Sequence, residues 1–191
     1  MSQQKSQPST PKRIEVTTLG GGCFWCTEAV FTQLKGVEKI EPGYSGGERE
    51  NPTYEEVSTG TTGHAEVAQI SFDSNVISFK EILQIFFSTH DPTTLNRQDQ
   101  DIGSQYRSII FYHDDHQKEI SEQVIKDLSE EKIFDAPIVT QVEPLKAFYK
   151  AEDYHKEYFT RHPEQPYCRV VIAPKVAKLR QLYLSKLKLA I

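Results

Sequence analysis

The segment IEVTTLGGGCFWC (14–26) constrains the chain more than any other. The alternating run IEVTTL (14–19) predicts a strand. Three glycines follow, and Cys23 then opens CFWCTEAVFTQLKG (23–36), which predicts a helix. Val30, Phe31, Leu34 and Val37 give that run an apolar stripe, and Gly36 is its stop. A strand turning directly into a helix belongs to α/β and α+β folds, and it puts residue 23 at a helix N-terminus. Unpaired N–H groups and about half a positive charge favour an anion there. A cysteine pKa at such a site can fall from about 8.5 to roughly 3.5–7.5. The expectation is a thiolate at Cys23, with apolar surface beside it from Phe24 and from Trp25, the only tryptophan.

Other readings of this turn stay open. Phosphate binding is disfavoured, because no Gly-Lys-Ser/Thr follows and the G-x-G-x-x-G spacing fails. Cys23 and Cys26 can be half of a zinc site, with His113 and His116 as the other half, although the spacing is not that of a usual finger. Two small hydrophobes in a core would leave the glycines unexplained. A redox or nucleophilic thiol accounts for glycines, cysteines and aromatics together.

A chain of 191 residues suits one domain. With 22 basic and 27 acidic residues the formal net charge is -5, which does not suit a general nucleic-acid binder. No run approaches the roughly 18 apolar residues of a membrane span. Three cysteines, Cys23, Cys26 and Cys168, do not read as a secreted disulfide framework. The opening MSQQKSQPSTPKR has no apolar core, so no signal peptide is expected, residues 1–12 read as a flexible polar tail, and the cytoplasm is the expected compartment.

Further along, residues 41–63 are rich in Gly, Pro, Asn and Thr and read as a long loop with at most a short helix at 52–58. HAEVAQISFD (64–73) predicts a strand, and SFKEILQIFFSTH (78–90) a helix capped by Ser78 with Glu81 three residues on. A polar loop (91–105), a strand (106–113), an amphipathic helix (114–130), a strand (136–144), a short helix (154–162) and a strand or extended segment (169–173) follow. A basic, Leu-rich helix at 174–191 with Pro174 at its start is expected to pack on the domain at 13–173, although such a helix can also meet a membrane or partner.

Alternation along 64–72 puts His64, Glu66, Ala68, Ile70 and Phe72 on one strand face. Glu66 thus stands on the more apolar face, where desolvation raises a carboxyl pKa and suits it to act as a general acid. A solvated glutamate at a strand end is the competing reading, and spacing alone does not decide between them.

GGCFWCTEAVF (21–31) closely resembles the signature of the peptide methionine sulfoxide reductase A family. The resemblance extends through GYSGG (43–47), NPTYEEVSTGTTGHAE (51–66), HDPTTLNRQDQDIGSQYRS (90–108) and AEDYHKEYF (151–159), and so covers about residues 14–173. It implies a two-layer α/β sandwich of ferredoxin-like type with a mixed sheet. It implies reduction of the S epimer of methionine sulfoxide, free or in oxidised proteins, with no bound cofactor or metal. In that reading Cys23 is the nucleophile, Phe24 and Trp25 hold the substrate methyl, and Glu66 protonates the oxygen. Tyr54 and Tyr106 hydrogen-bond that oxygen, and Asp101 helps order the site. The family also implies a resolving cysteine, here Cys26 or Cys168, with the C-terminal position of Cys168 favouring it. It further implies thioredoxin as reductant; a monomer without nucleic-acid or membrane partners is expected.

Overall fold

A computed structural model describes residues 11–189, so residues 1–10 of the expected tail and residues 190–191 of the expected terminal helix lie outside it. Residues 11 and 12 are tied down: Asn75 Nδ2 donates to the Pro11 carbonyl at 3.1 Å, and Lys12 pairs with Glu38 at 2.6 Å.

The strands are β1 (Ile14–Gly20), β2 (Val37–Ser45), β3 (Ala65–Asp73), β4 (Arg97–Gln98), β5 (Asp101–Ile102), β6 (Ile109–Tyr112), β7 (Gln141–Pro144) and β8 (Phe148–Lys150). The helices are α1 (Phe24–Phe31), α2 (Tyr54–Ser58), α3 (Phe79–Thr89), α4 (Asp115–Glu130), α5 (Tyr158–Arg161) and α6 (Ala173–Leu182). The main sheet has the order β7-β6-β1-β3-β2-β8, and β4 and β5 form a separate small hairpin. Its inner strands, β6-β1-β3-β2, are antiparallel throughout and connect as β1-α1-β2-β3-α3-β6 apart from short insertions. That is the ferredoxin-like arrangement. β7 extends it in parallel beside β6, and β8 extends it antiparallel beside β2.

Helices cover one face. Leu19, Ala68, Ile70, Phe72 and Ile110 from the sheet meet Val30 and Phe31 of α1, Ile82, Leu83, Phe86 and Phe87 of α3, Val124 of α4 and Leu179 of α6. The other face carries a smaller cluster of Ala65, Val67, Ile109 and Phe111 under Leu145 and Phe148. β3 therefore alternates as expected, with Ala68, Ile70 and Phe72 toward the helices.

Helix starts follow the local chemistry. Ser78 and Glu81 form a reciprocal capping box at α3, and Thr53 and Glu56 form another at α2. Asp114 accepts from the Gln117 amide at the start of α4.

Four expectations are corrected. The helix expected over 23–36 stops at Phe31, because the backbone of residues 33–35 is held by the C-terminal segment: Lys188 N donates to the Gln33 carbonyl and Lys35 N to the Lys186 carbonyl, each at 2.8 Å. Residues 41–45, expected as loop, complete β2 despite Pro42 and Gly43. The Pro42 carbonyl accepts from Ala151 N, so its missing N–H also faces the β8 side, where that ladder ends. A side chain at Gly43 would strike the Phe148 ring. Finally, RVVIA (169–173) is no strand: Cys168–Ile172 forms a π-helical turn leading into α6. Cys168, Ile172, Val176 and Leu179 are buried at helical spacing while Val170 is 73% exposed, so packing overrides the β-branched propensity. α6 ends at Leu182, short of the helix expected to residue 191. Among the described residues no helix is long and apolar enough to cross a membrane.

Phe72 lies fully buried among these helices. Phe72→Ala should cost about 3–5 kcal/mol, and Val170→Ala should stay within about 0.5 kcal/mol, both read from urea unfolding midpoints. Equal losses would contradict the helical packing of residues 168–179.

Candidate active site

The antiparallel pairing of β1 with β3 brings the end of one to the beginning of the other. Their ladder runs only to Leu19 opposite Ala68, so Glu66 stands beside the glycine turn rather than opposite a strand. Glu66 is 1% exposed. On its other side its partner in β2 is Tyr44. Gly22, at φ +96°, makes the turn, and a Cβ there would come within 2.7 Å of Gln98. Cys23 follows with extended dihedrals as the N-cap of α1, and its side chain caps nothing. The capping is done from the sheet, since Phe24 N donates to Glu66 Oε2 at 3.1 Å.

This bond changes the expected electrostatics. Cys23, 8% exposed as a residue, lies in an apolar cluster with Phe24, Cys26, Ala29, Tyr44 and Cys168. Burial pushes its thiol well above the ordinary range, and the neighbouring Cys26 thiol and Glu66 push the same way. The Trp25 backbone N–H opposes this and loses. The resting thiolate expected at Cys23 is therefore corrected to a neutral thiol. Cys26 is displaced downward instead, first by its hydrogen bond to Cys23 and then, against burial, by the Lys175 charge. Glu66 is pushed up to about 8 by burial, against the pull of the Phe24 N–H.

The aromatic residues form a cage held by a second polar layer. Trp25 stacks on Tyr158 at 3.7 Å and 5°, and Tyr167 meets it edge-on at 5.9 Å. Such pairs add about 0.5–1.5 kcal/mol beyond burial. Trp25 Nε1 donates to His155 Nδ1 at 3.1 Å. An indole only donates, so Nδ1 is the acceptor and the proton of the neutral ring sits on Nε2, which faces Glu152 Oε2 at 3.3 Å. The same carboxylate accepts from Tyr44 OH at 2.9 Å and from Tyr54 N at 2.8 Å. Burial raises the Glu152 pKa but these donors prevail, and it lies below the ordinary range. The Tyr54 ring stacks near Phe24 at 6.4 Å, and burial pushes its hydroxyl up to about 12. Tyr106, from the turn before β6, is raised by burial and then by Glu66 and Cys23. Both phenols are thus held as neutral donors beside Glu66.

Every residue expected in the site gathers here: Cys23, Phe24, Cys26 and Cys168 lie in one buried cluster, with Trp25, Tyr54 and Tyr106 packed against it. Asp101 joins through Tyr167, whose hydroxyl donates to its Oδ2 at 2.5 Å. Among the described residues, no three His, Cys, Asp or Glu side chains gather to hold a metal; His113 instead lies 3.0 Å from Thr18 Oγ1. Sequence reasoning missed Tyr44, Glu152, His155, Tyr158 and Tyr167. The signal for three of them was the density of acid, imidazole and phenol in AEDYHKEYF (151–159).

Glu66 links this geometry to stability. Its folded pKa of about 8 lies above the ordinary 4.5. Between those values the folded state keeps a proton that the unfolded state releases, so stability falls as pH rises through that window. Glu66→Gln should therefore gain stability relative to wild type between pH 5 and pH 9, on the order of a few kcal/mol, each tenfold change in proton affinity being about 1.4 kcal/mol. Urea midpoints at both pH values test this, and parallel pH profiles would refute it.

Comparison with known proteins follows the same lines. The model of the peptide methionine sulfoxide reductase family matches residues 15–187. A peptide methionine sulfoxide reductase MsrA of Saccharolobus solfataricus is 57% identical over 176 residues, covering 92% of this chain and 98% of that one. The crystal structure of Mxr1 from Saccharomyces cerevisiae in reduced form superposes with a TM-score of 0.74 at 35% identity, covering 86% of this chain and 92% of that one. Mxr1 in complex with Trx2 superposes with a TM-score of 0.52 at 27% identity, covering 81% and 89%.

Proposed function

The chain belongs to the peptide methionine sulfoxide reductase A family, and on that premise we propose how its residues divide the reaction. The enzyme reduces methionine S-sulfoxide to methionine at the expense of thiols. The observation that carries our assignment is the Glu66 carboxyl, 1% exposed and held by the Phe24 amide at 3.1 Å, directly beside Cys23 at the start of α1.

A sulfoxide sulfur is a poor electrophile because oxide is a poor leaving group. Glu66 gives its proton to the sulfoxide oxygen, and Tyr54 and Tyr106 add hydrogen bonds to it. Charge is drawn from the substrate sulfur, and Cys23 attacks. The thiol proton passes to the carboxylate that Glu66 has just formed. The substrate S–O bond breaks as the oxygen passes to the Cys23 sulfur, so methionine leaves and Cys23 is left as a sulfenic acid. Phe24 and Trp25 supply the apolar walls for the methyl group, and the layer of Tyr158, His155 and Glu152 keeps those walls in place.

Cys26 is the better placed of the two remaining thiols to condense with the sulfenic acid. It sits one helical turn from Cys23 and its proton is the more readily lost, whereas Cys168 is fully buried and raised by burial. This reverses the preference that chain position alone suggested. A dithiol protein of thioredoxin type then restores both thiols by exchange, as the complex of the yeast relative with Trx2 suggests. A cytoplasmic location suits an enzyme recycled by such a dithiol. The basic residues of α6 flank its buried Val176 and Leu179, which supports packing on its own domain.

Incubation with racemic methionine sulfoxide and dithiothreitol should consume the S epimer alone. Only the protonated carboxyl can donate, so the single-turnover rate of methionine release should fall as pH rises through about 8. Glu66→Gln should lower that rate by about 10²–10⁴-fold. Wild-type release rates in this variant would show that the proton has another source.

A further inference from the structure

Three groups from outside α1 converge on Cys26. The Tyr167 hydroxyl lies 3.9 Å from its sulfur. That hydroxyl has one proton, directed at Asp101 Oδ2 at 2.5 Å, so its oxygen turns a lone pair toward the thiol. Lys175 shares with Cys26 the wall of a cavity of about 10 Å³, and its side chain is only 14% exposed. Its ammonium pairs with Asp99 Oδ2 at 3.1 Å. Asp99 sits at φ +53° in the β4–β5 turn, two residues before Asp101, so the ion pair clamps this hairpin to α6 and holds Asp101 against Tyr167.

We propose that Tyr167 and Asp101 form a proton exit for Cys26 that serves closure of the disulfide. The inference rests on the reading that Cys26 resolves the sulfenic acid. In the closing step the Cys26 S–H bond breaks; its proton passes to the Tyr167 oxygen while the Tyr167 proton passes to the Asp101 carboxylate. The Cys26 sulfur forms a bond to Cys23, and the Cys23 S–O bond breaks. The departing hydroxide takes the Glu66 proton and leaves as water. Cys26 is oxidised and the sulfenic sulfur is reduced by the same two electrons. Asp101 then releases its proton to solvent, and Glu66 regains one from it. Tyr167 touches the reacting sulfur, and Asp101 acts through it as a positioning residue and proton acceptor.

The groups facing Cys26 are Cys23 on its own helix, Glu66 from β3, Asp101 from β5, His90 after α3, Tyr167 and Cys168 before α6, and Lys175 in α6. His90 is pushed down to about 4 by burial, so it stays neutral at working pH. Glu66, near 8, titrates in both wild type and variants and bends their profiles alike.

The test uses the full chain with one equivalent of methionine S-sulfoxide and no reductant. Samples are quenched in time, sulfenic acid is trapped by a dione, free thiols are alkylated, and peptides are mapped by mass. Tyr167→Phe keeps the ring against Trp25 and removes only the hydroxyl. It should slow conversion of sulfenic acid to the Cys23–Cys26 disulfide by about 10²-fold near neutral pH. Its closing rate should also rise about tenfold per pH unit below pH 8, where Glu66 stays protonated and the wild-type rate stays nearly level. Asp101→Asn should do the same without touching the aromatic packing, and Asp101→Glu should recover part of the rate. Wild-type closing rates and pH profiles in both Tyr167→Phe and Asp101→Asn would overturn the relay. Cys26→Ser separates the two claims. Accumulation of sulfenic acid in that variant supports Cys26 as the resolving thiol, whatever the relay variants do. A Cys23–Cys168 disulfide formed there at the wild-type rate would refute that reading, and the relay with it.

Discussion

The hydrogen bond from the Phe24 amide to Glu66 Oε2 joins the end of a helix to the middle of the sheet, and the chemistry of the site depends on it. A helix N-terminus ordinarily stabilises whatever anion lies nearest. Here its first free N–H is taken by a carboxyl group from β3 and not by the sulfur that precedes the helix. That bond alone would draw the Glu66 proton off, yet burial is the larger effect and keeps it on. The result is an acid and a thiol held side by side, both neutral. In the reaction proposed above, this pair exchanges protons once the sulfoxide oxygen enters between the phenols of Tyr54 and Tyr106.

Around this pair the structure is built for fixed geometry. Trp25 is held on one face by Tyr158, at one edge by Tyr167 and at its nitrogen by His155. His155 in turn faces Glu152, which also holds Tyr44 and the start of α2. The segment carrying these groups is pinned to α1 by the Glu157 amide, which donates to the buried Glu28 Oε2 at 2.9 Å. One half-buried carboxylate, that of Glu152, thus links the indole wall, a tyrosine behind Phe24 and the helix that bears Tyr54.

Much of this was legible in the sequence, and the failures have physical causes. Strict alternation placed Glu66 on the helix-facing side of β3, because a strand's period of two leaves no freedom once Ala68, Ile70 and Phe72 are buried. Ser78 with Glu81 marked the start of α3, since capping is a local bond between near neighbours. Residues 169–173 misled, because a β-branched run carries a weak preference that the helical burial of Cys168, Ile172 and Val176 overcomes. Pro42 and Gly43 hid the end of β2, since their fit depends on where β8 ends and on the Phe148 ring, both about 100 residues away in the chain. The charge state of Cys23 was misjudged for a similar reason. The helix end was visible in the sequence, but its capture by Glu66 and the depth of the sulfur were not.

The central claim is that Glu66 carries a proton at neutral pH while it faces Cys23. Infrared titration of the resting enzyme, with the carbonyl band of Glu66 identified by its loss in the Glu66→Gln variant, reads that proton directly. The account predicts a protonated-carboxyl band at pH 7 that disappears as pH rises through about 8. An ionised carboxylate throughout pH 5 to 9 would contradict it.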